Sequence, residues 1–423
     1  MKWYREYLQF LVRAFIINFK GSNRYYSWMA FLSILSLIGL HAFMKQFVFG
    51  MATTGMTDPV SWGFYIANFT YLVGIAAAAV MLLIPTYLYG KKEFHEVVIL
   101  AEILAITALI MCVLFVIADL GHPERAWHML PVVGKFNLPA SMLSWDVLVV
   151  NGYLLINAHV VGYTLYMKYL GRPVSKKLTL PFVFLSIGWA IGVHTVTAFL
   201  LVGLGARPFW NTAILAPRFL ASAFAAGPAF IIIAFQFIRY YTDYHIEDKV
   251  MMFLRKIIQI TVPINIFLFL SEVFKELYSE THHAEPMIYL LFGLHGYDAL
   301  VPWIWPAIAF NFTAMIILFL PMSRRIFFLN IACVLTVVGI WVEKGMGLIV
   351  PGFVPSTLGE LVEYTPTWNE LMVVMGVWAF GFLVYTVLAK VAIPILKGKF
   401  SAESDSTDHL SAVDSKDSDT VSV

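Results

Sequence analysis

The sequence predicts an all-α polytopic membrane protein with ten transmembrane helices, including two four-helix bundles. Three observations carry this. Of 423 residues, 60% are apolar and 13% charged, with a mean hydropathy of +0.79; a soluble domain has about 45–50% and about 25%. That composition excludes a water-soluble globular protein, a disordered chain and a nucleic-acid binder. Next, apolar residues gather in ten stretches at 27–49, 61–89, 96–119, 143–168, 177–203, 212–241, 252–278, 299–321, 325–343 and 370–396. Each approaches or exceeds the roughly 20 residues a bilayer requires. Finally, Lys and Arg alternate between the loops, 20 on the side of both termini and six on the other. This asymmetry places the protein in the cytoplasmic membrane with both termini cytoplasmic. The net charge of +2 carries no such information.

Taken in order, residues 1–26 read as an N-terminal interfacial helix. Tyr4, Tyr7, Leu8, Leu11 and Phe15 share one face, while Arg5, Arg13 and Lys20 lie elsewhere. The segment has spread charges and no small-residue cleavage site, unlike a secretory signal. Residues 27–60 give the first helix and an outer loop, and 61–203 the first bundle, helices 2–5. The second bundle, helices 6–9, takes 204–343. An outer loop and the tenth helix follow at 344–400, then a Ser/Asp-rich tail at 401–423 that is expected to be disordered. Prolines inside the spans, such as Pro85, Pro181 and Pro228, are tolerated because neighbouring helices satisfy the freed carbonyls. A weak internal repeat fits the two bundles: GIAAAAV from Gly74 matches SAFAAGPA from Ser222, and Trp145 with Asn151 matches Trp303 with Asn311. The long loops 119–143, 279–298 and 344–369 fall outside, so the working face is the outer one.

Cys112 and Cys333 both lie in apolar runs. An iron–sulfur cluster takes about four thiolates, so such a cluster must come from another chain, and no metal site is expected here. Polar residues at membrane depth are expensive and call for individual accounts. On helix 4, Asp146, Tyr153, Asn157 and Thr164 fall within about 40° of one another, one stripe across the membrane. It reads either as a proton path or as interhelical hydrogen-bond glue. Helix 7 repeats the pattern with Asn265, Glu272 and Glu276; Lys275 is placed to pair with Glu272, and Glu276 reads as solvated. Glu102, toward the inner side of helix 3, joins the proton path with His159 and Glu272, or else snorkels to the interface.

Asp119 opens D-L-G-H-P-E-R-A-W-H at the outer boundary. A helix end explains Gly121 and Pro123, but not Asp119, His122, Glu124, Arg125 and His128 together. His194 lies in the outer half of helix 5, and His41 in helix 1 at a similar depth, so a haem between them is one alternative. A second alternative puts Tyr65, Asn68, Asp119, Asp146 and His194 around an outer pocket, with His122 and Trp145 as further contacts. Aromatic walls with a few hydrogen-bonding groups suit a quinone. Asp119, Asp146 and His194 would exchange its protons, while Tyr65 and Asn68 would position it. Arg207 and Trp210 read as shaping the outer loop.

Four blocks in order, SWGFYIANFTYLVGIAAAA from Ser61, DLGHPERAWHML from Asp119, SWDVLVVNGYL from Ser144 and VHTVTAFLLVGLGARPFWNTAILAPRFLASAFAAG from Val193, resemble the polysulfide reductase membrane-subunit (NrfD-like) family. Within it, the chain is similar to the ten-helix membrane subunits of sulfite-reduction-linked complexes. The resemblance implies a subunit without haem or iron–sulfur cluster that binds menaquinone or a related quinone near the outer face. It would exchange electrons with an extracytoplasmic ferredoxin-like iron–sulfur subunit, as the membrane subunit of a quinone oxidoreductase complex serving dissimilatory sulfur metabolism. Implied further partners are a multihaem cytochrome c, a cytochrome b and a cytoplasmic iron–sulfur subunit. Tyr65 and Asn68 fall where the family's quinone contacts lie. His194 falls in a His-x-Tyr-Thr-Gly-like block in which this chain has Val196 for the tyrosine and Ala198 for the glycine. The rival readings are a proton-translocating subunit and a secondary transporter, to which midplane charges and a repeat also lend themselves.

Overall fold

The computed structural model describes residues 2–130, 132–278 and 282–402, so the tail reading for 403–423 lies outside the described residues. Among the described residues there are ten helices long and apolar enough to cross a membrane. In order, spans 1 to 10 are Asn23–Phe49, Phe64–Leu88, Glu93–Asp119, Met142–Tyr169, Lys176–Val202, Leu215–Tyr241, Asp248–Tyr278, Val301–Phe319, Ile326–Phe353 and Trp368–Leu396. An even number returns the chain to the side from which span 1 starts. That side bears most of the Lys and Arg and is called the basic side; the other is the long-loop side.

Two spans depart from regular helix, each for a local reason. Span 2 is α-helical to Ala77, re-forms over Val80–Leu83 and widens into a π-type turn at Ile84–Leu88, where Pro85 has no N–H to give. Span 9 is regular to Lys344, breaks at Gly345 and continues as short turns to Phe353. The sequence assigned 344 onward to an outer loop. In the structure Lys344 is buried and residues 347–354 pack inside the protein, because the chain turns inward under the long-loop surface.

Spans 2, 3, 4 and 5 pack on one another in chain order, and span 5 also meets span 2. Spans 6 to 9 close a ring, 6 on 7, 7 on 8, 8 on 9 and 9 back on 6. The two groups meet where span 6 lies on spans 2 and 5. Here the small-residue runs allow close approach: a Cβ on Gly227 would collide with the Ala78 Cβ. Spans 1 and 10 form an outer pair, with span 10 also lying on span 3. Consequently the most apolar windows of spans 2 and 3 are 89% and 83% buried, against 17% for span 1. The centre of the molecule is spans 2 and 3, and span 1 is its flank.

The N-terminal helix, Lys2–Ile17, exposes Tyr4, Leu8, Leu11, Val12 and Phe15 and buries Phe10 against the rings of Tyr166 and Tyr169. Arg13 donates to the Tyr169 hydroxyl at 2.8 Å.

Candidate functional site

The residues expected to surround one pocket take three different sets of partners. The first is a hydrogen-bonded cluster at the long-loop ends of spans 1, 2, 3 and 10. The Tyr65 hydroxyl donates to Gln46 Oε1 at 2.6 Å, and Gln46 Nε2 donates to the Ala118 carbonyl at 2.6 Å. Asp119, the last residue of span 3, is half-buried, and its Oδ1 is buried without a partner. Asp119 and Glu370 both lie within electrostatic reach of the Tyr65 hydroxyl. Glu370 is fixed by a capping box with Thr367 at the start of span 10. It also accepts from the Gly55 amide at 2.7 Å and the Tyr364 hydroxyl at 2.5 Å. Burial, then the Glu370 charge beside it, holds the Tyr364 phenol above the usual tyrosine range, so it stays protonated and keeps donating.

Asn68, expected to contact quinone, is a brace. Its Oδ1 accepts from Trp341 Nε1 at 3.1 Å and Trp378 Nε1 at 2.9 Å, and its Nδ2 donates to the Phe64 carbonyl at 2.8 Å. Both acceptor sites of the oxygen are filled by spans 9 and 10. His122 is exposed and pairs with Glu124 at 2.9 Å on the loop surface. The backbone amide of Glu124, with His122 and Arg125 beside it, draws this exposed carboxyl below its ordinary value. Trp145 donates to the Pro139 carbonyl at 3.0 Å, again within the loop region. Trp210 is wholly buried, donates to the Leu348 carbonyl at 2.8 Å and stacks edge-on with Phe353, while Arg207 lies 4.8 Å over that ring. The expectation that Arg207 and Trp210 shape the loop matches this cap.

The second set lies between spans 3, 4 and 5. The stripe on span 4 does face inward: Asp146, Tyr153, Asn157 and Thr164 are all buried. Asp146 Oδ1 accepts from Thr197 at 2.7 Å. Beyond it, Glu102 Oε2 and Thr164 Oγ1 are buried without partners, while the buried Tyr153 hydroxyl lies against Ser186 and Asn157. Glu102 is 1% exposed, so the snorkelling alternative is overturned. His159 is exposed, against Tyr163 and Phe182, and takes no part in the stripe. Two residues past Asn157 is about 200° around a helix, the opposite face.

The third set joins the two helix groups. His194 Nδ1 donates to the Ala190 carbonyl at 2.8 Å, and its buried Nε2 has no partner. It lines a cavity of about 10 Å³ with Thr70, Phe219, Ser222 and Lys344. Lys344 Nζ lies 3.7 Å over the Phe219 ring and has no hydrogen-bond partner. Such a space holds about one water and no aromatic ring. His41 is exposed on span 1, whereas His194 is wholly buried.

Next to this cavity is a charge cluster that the sequence reading did not assemble. Arg218 of span 6 bonds Glu272 of span 7 and, at 3.1 Å, Glu343 of span 9. Asn265 and Asn311 both donate to Glu343 Oε2, at 3.1 and 3.0 Å. Glu272 is therefore the partner of Arg218. Glu276, expected to be solvated, is 3% exposed and held by Lys275 at 2.7 Å. The signal was present: Arg218 is a cation inside span 6 and Glu272 an anion at similar depth in span 7, so burial of one required the other.

The model of the polysulphide reductase, NrfD, family matches residues 52–355. The chain belongs to the NrfD family. Its NrfD relatives include a selenate reductase subunit of Mesobacillus selenatarsenatis, 23% identical over 88% of this chain and 94% of the relative. Another is the Hdr-like menaquinol oxidoreductase integral membrane subunit of Archaeoglobus fulgidus, 22% identical over 87% and 93%. A shorter match, 25% identical over a quarter of each chain, is to the menaquinone reductase integral membrane subunit of Nitratidesulfovibrio vulgaris. This NrfD-family chain is thus a multi-pass membrane protein related to membrane subunits of reductase complexes.

Proposed function

We propose that the chain is the quinone-reactive membrane subunit of a respiratory oxidoreductase complex, with its reactive end on the long-loop side. The observation that carries this is Asp119: a carboxylate oxygen, buried and unpartnered, beside the Tyr65–Gln46 pair at the membrane boundary. Such an oxygen is the acceptor that a quinol hydroxyl fits, and the names of two relatives refer to menaquinol and menaquinone. A bound quinol would supply electrons and protons together. Asp119 would take a proton from the hydroxyl, Tyr65 and Gln46 would fix the ring edge, and Glu370 would tune the charge that Asp119 feels. We assign His194 and Asp146 to proton movement further in, and Asn68 to holding the helices. Electrons would pass to or from an extracytoplasmic iron–sulfur subunit docked on the long loops, where Trp127, Leu130, Val132 and Val133 are exposed. The basic-side loops would then be cytoplasmic, and the sulfur-linked role is the one the four sequence blocks suggest. Asp119→Asn should lower quinol-dependent electron transfer by about a hundredfold or more, with the complex assembled and quinone still extractable. Wild-type turnover would reject the site.

A second reading, proton conduction, is favoured by the line of buried polar groups from Glu102 through Tyr153 and Asn157 to Thr164, in which Glu102 Oε2 and Thr164 Oγ1 lack a partner. Buried polar atoms lacking protein partners are where internal waters bind. Glu102→Gln should abolish proton movement in excess of the quinone stoichiometry in liposomes. If no such excess exists in the parent complex, the stripe is interhelical glue.

A further inference from the structure

Away from these places, on the basic side, Arg255, Lys256 and Arg324 line a cleft of about 500 Å³ with Asp248, Met252 and Ile326. It lies between the start of span 7 and the turn Pro321–Arg324 that joins spans 8 and 9. We propose that this cleft binds the phosphodiester headgroup of an anionic phospholipid in the leaflet on the basic side.

Arg255 is the fixed part of the site. It is 7% exposed; Nε donates to Ser323 Oγ at 2.8 Å and Nη2 to the Leu318 carbonyl at 3.0 Å. Ser323 is itself wholly buried and bonds the Leu318 and Leu320 carbonyls, so the guanidinium is held by a rigid turn. Neutral oxygens hold it, and no carboxylate does. Arg324 stands near enough for its charge to repel that of Arg255, and Arg325 follows it in sequence.

The neighbouring acids are already engaged. Asp248 accepts from Arg239 at 2.6 Å, and Glu247 is 3.9 Å from Lys249. Among the described residues no ion pair neutralises Arg255, Lys256 or Arg324. Like charges from two separate elements converge on a cleft whose carboxylate, Asp248, is bonded to Arg239, and their repulsion is relieved when an anion enters. Guanidinium groups match phosphate oxygens in geometry as well as charge.

Depth and walls select a lipid over a free phosphate. Arg255 is seven residues into span 7, about 10 Å along the helix from its end, at the level where headgroups meet acyl chains. Met252 and Ile326 supply apolar walls that suit the glycerol and first methylenes, for which inorganic phosphate has no use. Basic pockets between membrane helices bind anionic headgroups by this combination. A bound lipid would clamp the 8–9 turn to span 7, and so steady the ring of helices that carries Glu272 and Glu343.

The test uses the full-length chain, with whatever subunits accompany it, delipidated in mild detergent. Thermal unfolding and native mass spectra are followed with phosphatidylglycerol, cardiolipin, phosphatidylcholine or inorganic phosphate added. Phosphatidylglycerol and cardiolipin should remain bound and raise the unfolding midpoint, whereas phosphatidylcholine and phosphate should do neither. Lys256 and Arg324 are exposed, so a Lys256→Gln/Arg324→Gln double variant leaves the Arg255 bonds intact. It should bind the anionic lipids about tenfold more weakly, with its midpoint in phosphatidylcholine unchanged. Equal affinity in the double variant, or equal binding of phosphatidylcholine, overturns the site. Inorganic phosphate matching the lipids overturns the lipid as its occupant. None of these readouts depends on quinone chemistry.

Discussion

Asn68 holds two tryptophan N–H groups on one carbonyl oxygen, deep among apolar side chains. Removing the acceptor leaves the donors of two half-buried tryptophans unpaired, at up to about 1–3 kcal/mol each. Asn68→Ala should therefore lower the unfolding midpoint while leaving the KM for quinol within about twofold of the parent, relative to the much larger change that loss of a substrate contact brings. A large rise in KM at unchanged stability would return Asn68 to the quinone site. Arg218 presents the opposite case, a cation between two carboxylates. Breaking a buried pair from one side costs about 3–5 kcal/mol, so Arg218→Gln should unfold far more readily than the parent. Adding Glu272→Gln removes one of the two stranded anions and should recover part of that loss, a non-additivity that the double-mutant cycle reads directly.

The elements show where close packing sets the architecture. Spans 1 and 10 touch at Gly39 and Gly376, where a Cβ on Gly39 would collide with the Gly376 Cα. Backbone cannot yield as a side-chain tip can, so Gly376→Val should force the pair apart and cost about 1–3 kcal/mol or more. Gly188 in span 5 is exposed, with no atom within 4 Å of its added Cβ. Gly188→Ala should leave the midpoint unchanged or raise it by the equivalent of about 0.5–1 kcal/mol. Thermal unfolding of the two variants side by side compares them; equal behaviour would remove the close approach as the reason for pairing.

For the whole molecule, side matters most. Cys112 and Cys333 are both buried, so the native thiols give a quiet background for labelling. Lys91 and Lys135 are exposed at opposite ends of span 3. In sealed, outside-accessible cells, an impermeant thiol reagent should label Lys135→Cys and leave Lys91→Cys unlabelled until the membrane is opened. The reverse pattern would invert the orientation, and with it the side on which Asp119 meets its partner.

The ten spans and the inward face of the span 4 stripe were legible in the sequence. Hydrophobic length, Lys/Arg alternation and helical phase are properties of one segment at a time. His159 could have been discounted on phase alone. Which polar residues meet was not legible, because meeting depends on how helices far apart in sequence rotate against one another. Glu272 chose Arg218, 54 positions away, over the nearby Lys275 that helical spacing suggested. Asn68 faces Trp341 and Trp378 because spans 9 and 10 arrive beside span 2. A membrane protein with ten spans follows from the residues alone, because each span must satisfy its own backbone within the bilayer. That Tyr65 stands by Asp119, Asp146 takes Thr197 and His194 takes the Ala190 carbonyl follows from the packed helices, because side-chain partnership in a membrane is set by contact between spans.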